Sequence, residues 1–441
     1  MTDQPPDESA IESRTVAKVL LRLIPCIVVL YVFNYLDRVN VSFAKLTMND
    51  DLGFSETVYG IGSGIFFVSY FLFEVPSNLI MQRVGARIWL ARIMISWGII
   101  SSAMLFVRGP TSFYTLRFLL GAAEAGFAPG ILLYLTYWLP LRHQAKAVAW
   151  FLTATALSGM IGSPLAGALL RLDGAHCFGH PLAGWQWLFL LEGIPSVLGG
   201  FAIYFLLTNR PQEARWLSPE EQQWLTGRIE ADRLQRECHG HTSLAAGLTL
   251  PAVWLFSLIY GTMMFGFQGI NFWLATIVKQ VTGLADNLYV GLLCAIPFTA
   301  AMIAMVLLGR HSDRTGERRG HAAVCCAVGA LGLLLCALSD SPVWAIACLA
   351  LAAAGIWSSL GPFWALPPLF LTGSAAAAGL ALINSIGNLG GGFLGQYAMG
   401  ALKDYTKTYK PGLLVVSISL ALAAGLILSL RRFLSTFSDR R

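Results

Sequence analysis

The sequence predicts an all-α membrane protein in which twelve transmembrane helices form two pseudo-symmetric bundles of six. Composition is the first indication, because 56% of the 441 residues are hydrophobic and 12% are charged, about half the charge usual in soluble domains. The second indication is that the apolar residues fall in runs long enough to span a bilayer. The third is an internal repeat. A soluble enzyme, a disordered chain, a nucleic-acid-binding domain and a disulfide scaffold are thereby excluded.

The apolar runs are arranged as six, a polar break and six more. They lie at 19–40, 57–81, 88–107, 112–138, 144–170, 185–208, 251–279, 287–308, 321–338, 343–372, 375–402 and 412–432. The predicted regions are an N-tail at 1–18, a first bundle at 19–208, a central loop at 209–249, a second bundle at 250–432 and a C-tail at 433–441. This leaves no room for a large catalytic domain outside the membrane.

The basic residues predict the orientation. Of the 30 Lys and Arg residues, 21 fall in the two tails and in the connections that would share a face with them, and seven fall on the other face. Cytoplasmic connections carry the excess of Lys and Arg, so we expect both termini and the central loop in the cytoplasm of a multi-pass protein of the inner (plasma) membrane. The same excess of Lys and Arg in cytoplasmic connections accounts for the net charge of +6. We therefore expect the lipid bilayer to be a partner of this protein and do not expect binding to nucleic acid. We expect a monomer.

The central loop contains a pattern typical of a helix start. In Ser218-Pro219-Glu220-Glu221, Ser stands at the N-cap, Pro at the first helical position and Glu at the third. We therefore expect a surface helix that lies along the cytoplasmic face and joins the two bundles.

A short motif repeats after the second span of each half. Gln82–Arg87 and Asp313–Arg318 both read polar-Arg-x-Gly-x-Arg. The central glycine, Gly85 or Gly316, predicts a tight turn. Duplicated halves with a shared site between them are typical of secondary transporters.

Four ionisable side chains within the apolar runs mark the candidate site, because a charge that faces lipid is costly. Arg38 is expected to attract an anion and to fit a carboxylate with two hydrogen bonds. Desolvation of Glu124 favours its proton-carrying form, and Asp37 is expected to be a second titrating group that pairs with Arg117. The alternative is that these residues form ion pairs that only fix helix packing. Glu74 and Glu192 are expected to be structural, with Glu74 near an Arg of a cytoplasmic loop.

Amide and aromatic side chains recur in the same apolar runs. Near a charge, such groups hydrogen-bond or stack on a ligand, whereas alone they are more often packing residues. Asn384 and Asn388 are four residues apart and therefore share one face of a helix. The full set of candidates is Asn34, Tyr35, Tyr70, Gln268, Asn271, Trp364, Asn384 and Asn388.

The sequence has no pattern that indicates a metal or a cofactor. No Cys or His group has the spacing of metal ligands, and no combination of His, Asp and Ser indicates a catalytic site. An enzyme is therefore not expected.

Five segments resemble signatures of the major facilitator superfamily and, within it, of the anion:cation symporter family. They are Asn34–Asn40, Tyr70–Asn78, Arg117–Gly126, Gly309–Arg314 and Ile383–Asn388. The resemblance covers the chain except the N-tail and part of the central loop. It implies a transporter that moves an organic anion together with protons by alternating access.

The resemblance also implies roles for individual residues. The arginine that matches Arg38 binds the substrate carboxylate in the family. The acids that match Asp37 and Glu124 couple transport to protons, and Arg117 lies near them. Residues that line the central site match Tyr35, Tyr70, Gln268, Trp364 and Asn384.

The sequence departs from the family pattern at two places that bear on function. Asn78 and Gln82 stand where the superfamily motif has Gly and Asp, which puts one charge pair of the cytoplasmic gate in doubt. Gly361–Trp364 offers no hydroxyl group, where some sugar-acid transporters have Ser or Thr. A smaller or aromatic carboxylate is favoured, as in the tartrate, phthalate and 4-hydroxyphenylacetate branch. A sugar-acid symporter (galactonate- or glucarate-like) and a transporter-like anion sensor are the alternatives.

Overall fold

The computed structural model describes residues 6–177, 179–237, 250–370 and 375–438. The helices of the first half are α1 (Pro6–Val39), α2 (Val41–Leu52), α3 (Glu56–Val84), α4 (Ala86–Ala103), α5 (Pro110–Glu124), α6 (Phe127–Thr136), α7 (Leu141–Leu169) and α8 (Gly184–Leu206). A two-residue antiparallel pair, β1 (His176–Cys177) and β2 (His180–Pro181), lies between α7 and α8. Short 3₁₀ turns occupy Met104–Phe106, Leu170–Leu172 and Pro211–Glu213.

The second half repeats the pattern of long apolar helices. Its helices, with the one that precedes them in the central loop, are α9 (Pro219–Glu237), α10 (Pro251–Thr282), α11 (Asn287–Thr315), α12 (Arg319–Leu338), α13 (Pro342–Trp364), α14 (Pro367–Phe370), α15 (Ala375–Leu389), α16 (Gly395–Thr406) and α17 (Lys410–Ser438). A π-helical turn, Gly390–Leu394, joins α15 to α16.

Eleven segments of the described chain are long and apolar enough to cross a membrane. The twelfth predicted span, 375–402, is the interrupted helix formed by α15, the π turn and α16. The predicted all-α architecture of twelve spans is confirmed. We call the face that carries Pro6, α9 and Ser438 the terminal face, and the opposite face the distal face.

The first span extends beyond its predicted limits at both ends. α1 begins at Pro6, within the segment predicted as a tail, and α2 continues the same path to Leu52. Polar partners stabilise the extension, because Glu12 pairs with Arg142 and His143. Likewise, α17 continues to Ser438 inside the predicted C-tail.

Two predicted local structures are confirmed. α9 starts with the expected capping box, in which the Ser218 N–H donates to Glu221 Oε2 at 2.9 Å and the Glu221 N–H donates to Ser218 Oγ at 3.2 Å. Lys18 of α1 also donates to Glu221, so this helix is held on the terminal face. The part of the central loop at 238–249 lies outside the described residues.

The repeated motif makes the predicted turn in both halves. Gly85 and Gly316 have φ of +95° and +67°, and they end α3 and α11 respectively.

Paired glycines bring the two bundles into close contact along two lines. Where α7 meets α11, a Cβ on Gly167 would lie 2.4 Å from Asn287 O and one on Gly291 would lie 2.3 Å from Ser163 O. Where α3 meets α16, a Cβ on Gly60 or Gly400 would be 2.4 or 2.3 Å from a backbone oxygen of the other helix. Small residues at such contacts let helices approach closely in membranes.

Candidate functional site

Arg38 and Glu124 form an ion pair at the centre of the first bundle. Arg38, near the end of α1, donates from Nε to Glu124 Oε1 at 2.8 Å and also donates from Nη2 to the same oxygen. The side chain of Arg38 is 13% exposed and that of Glu124 is 1% exposed. Glu124 Oε2 has no hydrogen-bond partner among the described residues. The accessible part of the pair is therefore the guanidinium group.

Aromatic rings surround the Arg38 guanidinium. Its Cζ lies 5.4 Å from the ring centroid of Tyr70 and 5.5 Å from that of Phe66, within the range of cation–π contacts. Tyr70 was predicted to belong to the site. Phe66 lies one helical turn before Tyr70 on α3, and that spacing is the signal in the sequence that indicates it.

Arg117 is fully buried and contacts the same Phe66 ring as Arg38. Its Nε donates to Gly62 O at 3.3 Å, and its Cζ lies 5.0 Å from the Phe66 ring and 5.9 Å from the Phe272 ring. Nη1 and Nη2 have no hydrogen-bond partner among the described residues. A buried cation with free donors is held in this position mainly by rings.

The predicted pairing of Asp37 with Arg117 is wrong. Asp37 instead accepts hydrogen bonds from Trp97 Nε1 at 3.0 Å, from Ser101 Oγ at 2.7 Å and from Ser196 Oγ. Neighbouring residues on a helix differ by about 100° in direction, so when Arg38 faces α5, Asp37 faces α4 and α8. The serines in two otherwise apolar helices are the signal for this second polar cluster.

Glu74 links the first bundle to the second. Asn384 Nδ2 donates to Glu74 Oε1 and Ser385 Oγ donates to Oε2, both at 3.2 Å. The predicted contact between Glu74 and a loop arginine is therefore wrong. Asn388 donates to Asn384 Oδ1 at 3.0 Å, so the two predicted asparagines do share a face.

The remaining predicted residues are distributed over α1, α10 and α13. The ring centroids of Trp364 and Tyr260 are 4.9 Å apart, and Tyr260 also stacks on Phe363 at 5.3 Å. This aromatic wall of the second bundle includes Tyr260, which was not predicted. Three further candidates, Tyr35, Gln268 and Asn271, are buried.

The span that carries Glu124 is broken directly after it. α5 ends at Glu124 and α6 begins at Phe127, where a continuous helix over 112–138 was predicted. Gly126 has φ of +91°, and a Cβ there would lie 2.4 Å from Ser77 Oγ. Pro129, in the first turn of α6, lacks the N–H that would continue the helix. Glu124 thus sits at the carbonyl end of a half-helix, where the helix dipole favours a cation such as Arg38.

The two bundles are joined on the distal face by a group that we call the Lys45 clasp, formed by Lys45, Glu56, Tyr59, Trp273 and Tyr409. The Lys45 ammonium lies 3.7 Å from the Trp273 ring centroid and 4.4 Å from that of Tyr59. It also pairs with Glu56 and donates to Tyr409 Oη at 3.3 Å. Because two of the rings belong to the second half, the clasp holds the distal face closed.

A second contact lies beside the Lys45 clasp. Asp404, on α16, accepts from the Thr57 N–H at 2.7 Å and from the Glu56 N–H at 3.1 Å. These two N–H groups belong to the first turn of α3, where no helical carbonyl is available to them. The carboxylate of one half therefore caps a helix of the other half.

Comparisons with known proteins agree with this architecture. Residues 27–395 match the model of the Major Facilitator Superfamily. A protein of Agrobacterium vitis named "Putative tartrate transporter" is 49% identical over 96% of this chain and 92% of its own. The quinolone resistance transporter of Acinetobacter baumannii is 42% identical over 95% and 94%.

A solved structure supports the fold independently of close sequence similarity. It is that of a bacterial homologue of the human lysosomal transporter Spinster, which superposes with a TM-score of 0.76 at 16% identity over 98% of both chains. Such a likeness shows the fold alone, while the family match covers most of the sequence. The chain therefore belongs to the Major Facilitator Superfamily and is a multi-pass secondary transporter of the membrane.

Proposed function

We propose that this transporter imports a small organic carboxylate together with protons across the plasma membrane, with both termini and α9 in the cytoplasm. The relatives named for tartrate make a tartrate-like carboxylate the first candidate substrate, with phthalate and 4-hydroxyphenylacetate next. In this orientation the distal face is the outer face, and the Lys45 clasp is the outer gate.

The observation that carries the proposal is the Arg38–Glu124 pair. A substrate carboxylate competes with Glu124 for the same guanidinium, since Arg38 is the exposed member of the pair. When it displaces Glu124, it leaves a buried carboxylate without its cation. An unpaired buried charge is costly, and binding a proton removes the cost. Substrate and proton therefore bind to the site together.

The membrane potential makes this coupling useful. Bringing one negative charge into a cell that is negative inside costs about 2.3 kcal/mol per 100 mV. One proton per substrate charge cancels that cost, and a further proton drives accumulation. Glu124 and Asp37 are the carriers that the site offers, with Arg117 two turns before Glu124 on the same helix.

The other residues have roles that follow from their positions. Tyr70 borders the Arg38 guanidinium, the Asn384–Asn388 pair reaches Glu74 from the second bundle, and Trp364 contributes to the aromatic wall. Tyr35, Gln268 and Asn271 are assigned to the same substrate path. No step of the proposal uses a metal or a cofactor.

Glu124→Gln is expected to abolish proton-driven uptake and to spare exchange of substrate for substrate. The amide cannot release a proton, whereas exchange requires none. Both activities are measured in proteoliposomes with and without an imposed pH gradient. Asp340→Asn, which changes an exposed acid paired with Lys410, is the control. Equal loss of uptake and exchange in the Glu124 variant would count against its coupling role.

Arg38→Ala is expected to abolish binding of the anion. The measurement is the shift in melting temperature that tartrate, phthalate, 4-hydroxyphenylacetate or galactonate produces in the purified protein. Arg92→Ala, which changes a half-buried arginine over Trp89, should keep the shift. An unchanged shift in Arg38→Ala would contradict the assignment, and a shift with galactonate alone would favour the sugar-acid alternative. Binding without uptake by the wild type would favour a sensor.

A further inference from the structure

A small cavity lies between the two bundles on the outer side of the Arg38–Glu124 pair. It has a volume of about 20 Å³, which is room for a water molecule. Polar groups from both bundles line the wall of the cavity. Of the described residues that line it, Glu192 is the one with an ionisable side chain. The polar lining residues are Asn40, Ser42, Ser158, Ser163, Glu192 and Asn271.

Glu192 is buried in this wall with few groups to stabilise its charge. It is 6% exposed, and neither carboxylate oxygen has a hydrogen-bond partner among the described residues. The amide of Asn40 faces it as a weak donor, outside full hydrogen-bonding geometry. A buried carboxylate with one weak donor and no paired cation is most stable when it is neutralised. The smallest ligand that neutralises it is a proton.

Glu192 also stands one helical turn from the hydrogen-bond shell of Asp37. Ser196, four residues later on α8, donates to Asp37, and Asn40, three residues after Asp37 on α1, faces Glu192. Residues three or four apart lie above one another on a helix. The two helices therefore present two stacked layers, Asn40 with Glu192 on the outer side and Asp37 with Ser196 further in.

Among the described residues, Asp37 is the charged group that interacts electrostatically with Glu192. The neighbouring helices present uncharged groups to this region. They are Ser101 and Ser102 from α4, Ser42 from α2, Ser158 and Ser163 from α7, Asn271 from α10 and Phe298 from α11. Among the residues that the structure describes, no cation in this shell competes with a proton for the Glu192 carboxylate.

We propose that Glu192 is a proton-relay residue, which takes protons from the outer cavity and passes them to Asp37. This inference rests on the proposed proton symport. In the resting state Glu192 carries the proton. Its O–H breaks as a proton reaches an oxygen of Asp37 through the Ser196 hydroxyl or a water. When the outer gate opens, the Glu192 anion left behind takes a proton from a cavity water, which is in turn reprotonated from outside.

The first experiment measures substrate-driven proton flux in proteoliposomes that contain a pH-sensitive dye. Glu192→Gln should lower the initial proton flux about tenfold or more, since a positioned acid–base group contributes roughly 10²–10⁴-fold to proton transfer. Substrate exchange should stay within twofold of wild type, and Glu192→Asp should restore part of the flux. Asp51→Asn is the matched control, because Asp51 accepts from Trp185 of the same helix but lies outside the cavity wall. Unchanged proton flux in Glu192→Gln would overturn the proposal.

The second experiment does not depend on transport. Infrared difference spectra of the purified protein, recorded between acid and alkaline pH, should contain a protonated-carboxyl band that is missing in Glu192→Gln and present in Asp51→Asn. Absence of that band in the wild type would overturn the relay, even if proton symport holds. Presence of the band in a wild type that moves no protons would instead contradict the proposed symport.

The same liposomes test a competing ligand. Replacing external K⁺ by Na⁺ at constant pH should change neither the uptake rate nor the infrared band. Uptake driven by a sodium gradient and lost in Glu192→Gln would make the carboxylate a cation site and would overturn the proton relay.

Discussion

At the scale of residues, Asp37 and Arg38 are adjacent in sequence and belong to different clusters. Arg38 pairs with Glu124 and stays partly exposed, whereas Asp37 is 1% exposed and accepts three hydrogen bonds within the first bundle. The anion-binding group and one proposed proton carrier are therefore on different faces of one helix. A change at one can reach the other through rotation or displacement of α1.

Asp37→Asn is expected to destabilise the protein as well as to impair coupling. The carboxylate accepts from three donors, and an amide that replaces it must point its own NH₂ at one of them. A buried donor left without an acceptor costs about 1–3 kcal/mol. The measurement is the melting temperature of the purified protein in detergent. A smaller loss is expected in Asp51→Asn, which loses one acceptor at an exposed site; equal losses would contradict the account.

The residue types of the site could be predicted from the sequence, but not all of their partners. Ionisable groups such as Glu124 stand out because charge is scarce in apolar runs. Which pairs form depends on helix rotation, and the pairing of Asp37 with Arg117 failed for that reason. Asp37 and Arg117 were expected at a similar depth in the membrane, but equal depth does not mean that two side chains point towards each other. The serine donors around Asp37 are common residues in membrane helices, so their pattern is a weak signal.

At the scale of elements, the break between α5 and α6 places Glu124 at a helix end inside the membrane. Non-helical backbone at this depth is tolerated where it is buried in protein, and broken helices are typical of transporter sites. The last carbonyls of α5 add to the negative potential around Glu124. A cation such as Arg38 is therefore favoured there.

Gly126→Ala is expected to cost about 1–3 kcal/mol in folding free energy, as residues held in rare backbone conformations do. The positive φ and the contact with Ser77 Oγ both oppose a Cβ. Melting temperature and proton-driven uptake are the readouts. Gly425→Ala, at a helical glycine with open space around its Cβ position, should be close to wild type. A melting temperature equal to that of Gly425→Ala would argue against a strained break.

Most elements could be predicted, because hydropathy and Lys/Arg counts depend on composition over about twenty residues. The turns at Gly85 and Gly316 and the start of α9 at Ser218 could be predicted as well, since each depends on a few adjacent residues. The break at Gly126 and the π turn at Gly390–Leu394 could not be located in this way, because a hydropathy average over twenty residues does not detect a change of backbone conformation at one or two of them. The length of α1 was missed because its extension depends on partners distant in sequence, such as Glu221.

At the scale of the whole molecule, the bundles make contact along two pseudo-symmetric lines of glycine. Such lines provide close contact without large side chains that would interlock. Rotation of one bundle against the other is therefore opposed by polar contacts between them, among which are the Lys45 clasp and Asp404 on the distal face. Opening that face requires these contacts to break.

Lys45→Met is expected to favour the outward-open form. Methionine keeps the length of the side chain and loses the charge, and desolvated cation–π contacts are worth about 1–2 kcal/mol. Amide hydrogen exchange at 53–60 and 403–409 should therefore rise about tenfold. Lys410→Met, which removes an exposed pair with Asp340, is the control. Exchange equal to that of the control would mean that the clasp does not hold the outer face closed.

The burial of Lys45 has a consequence for tolerance of salt. The Lys45 side chain is 2% exposed, whereas Arg171 and Asp286, which also pair across the bundles, are 49% and 35% exposed. Dissolved ions screen charges over about 8 Å at physiological ionic strength, and they reach the Arg171 pair but not the rings around Lys45. Added salt should therefore weaken the Arg171–Asp286 pair and leave the contacts of Lys45 nearly unchanged.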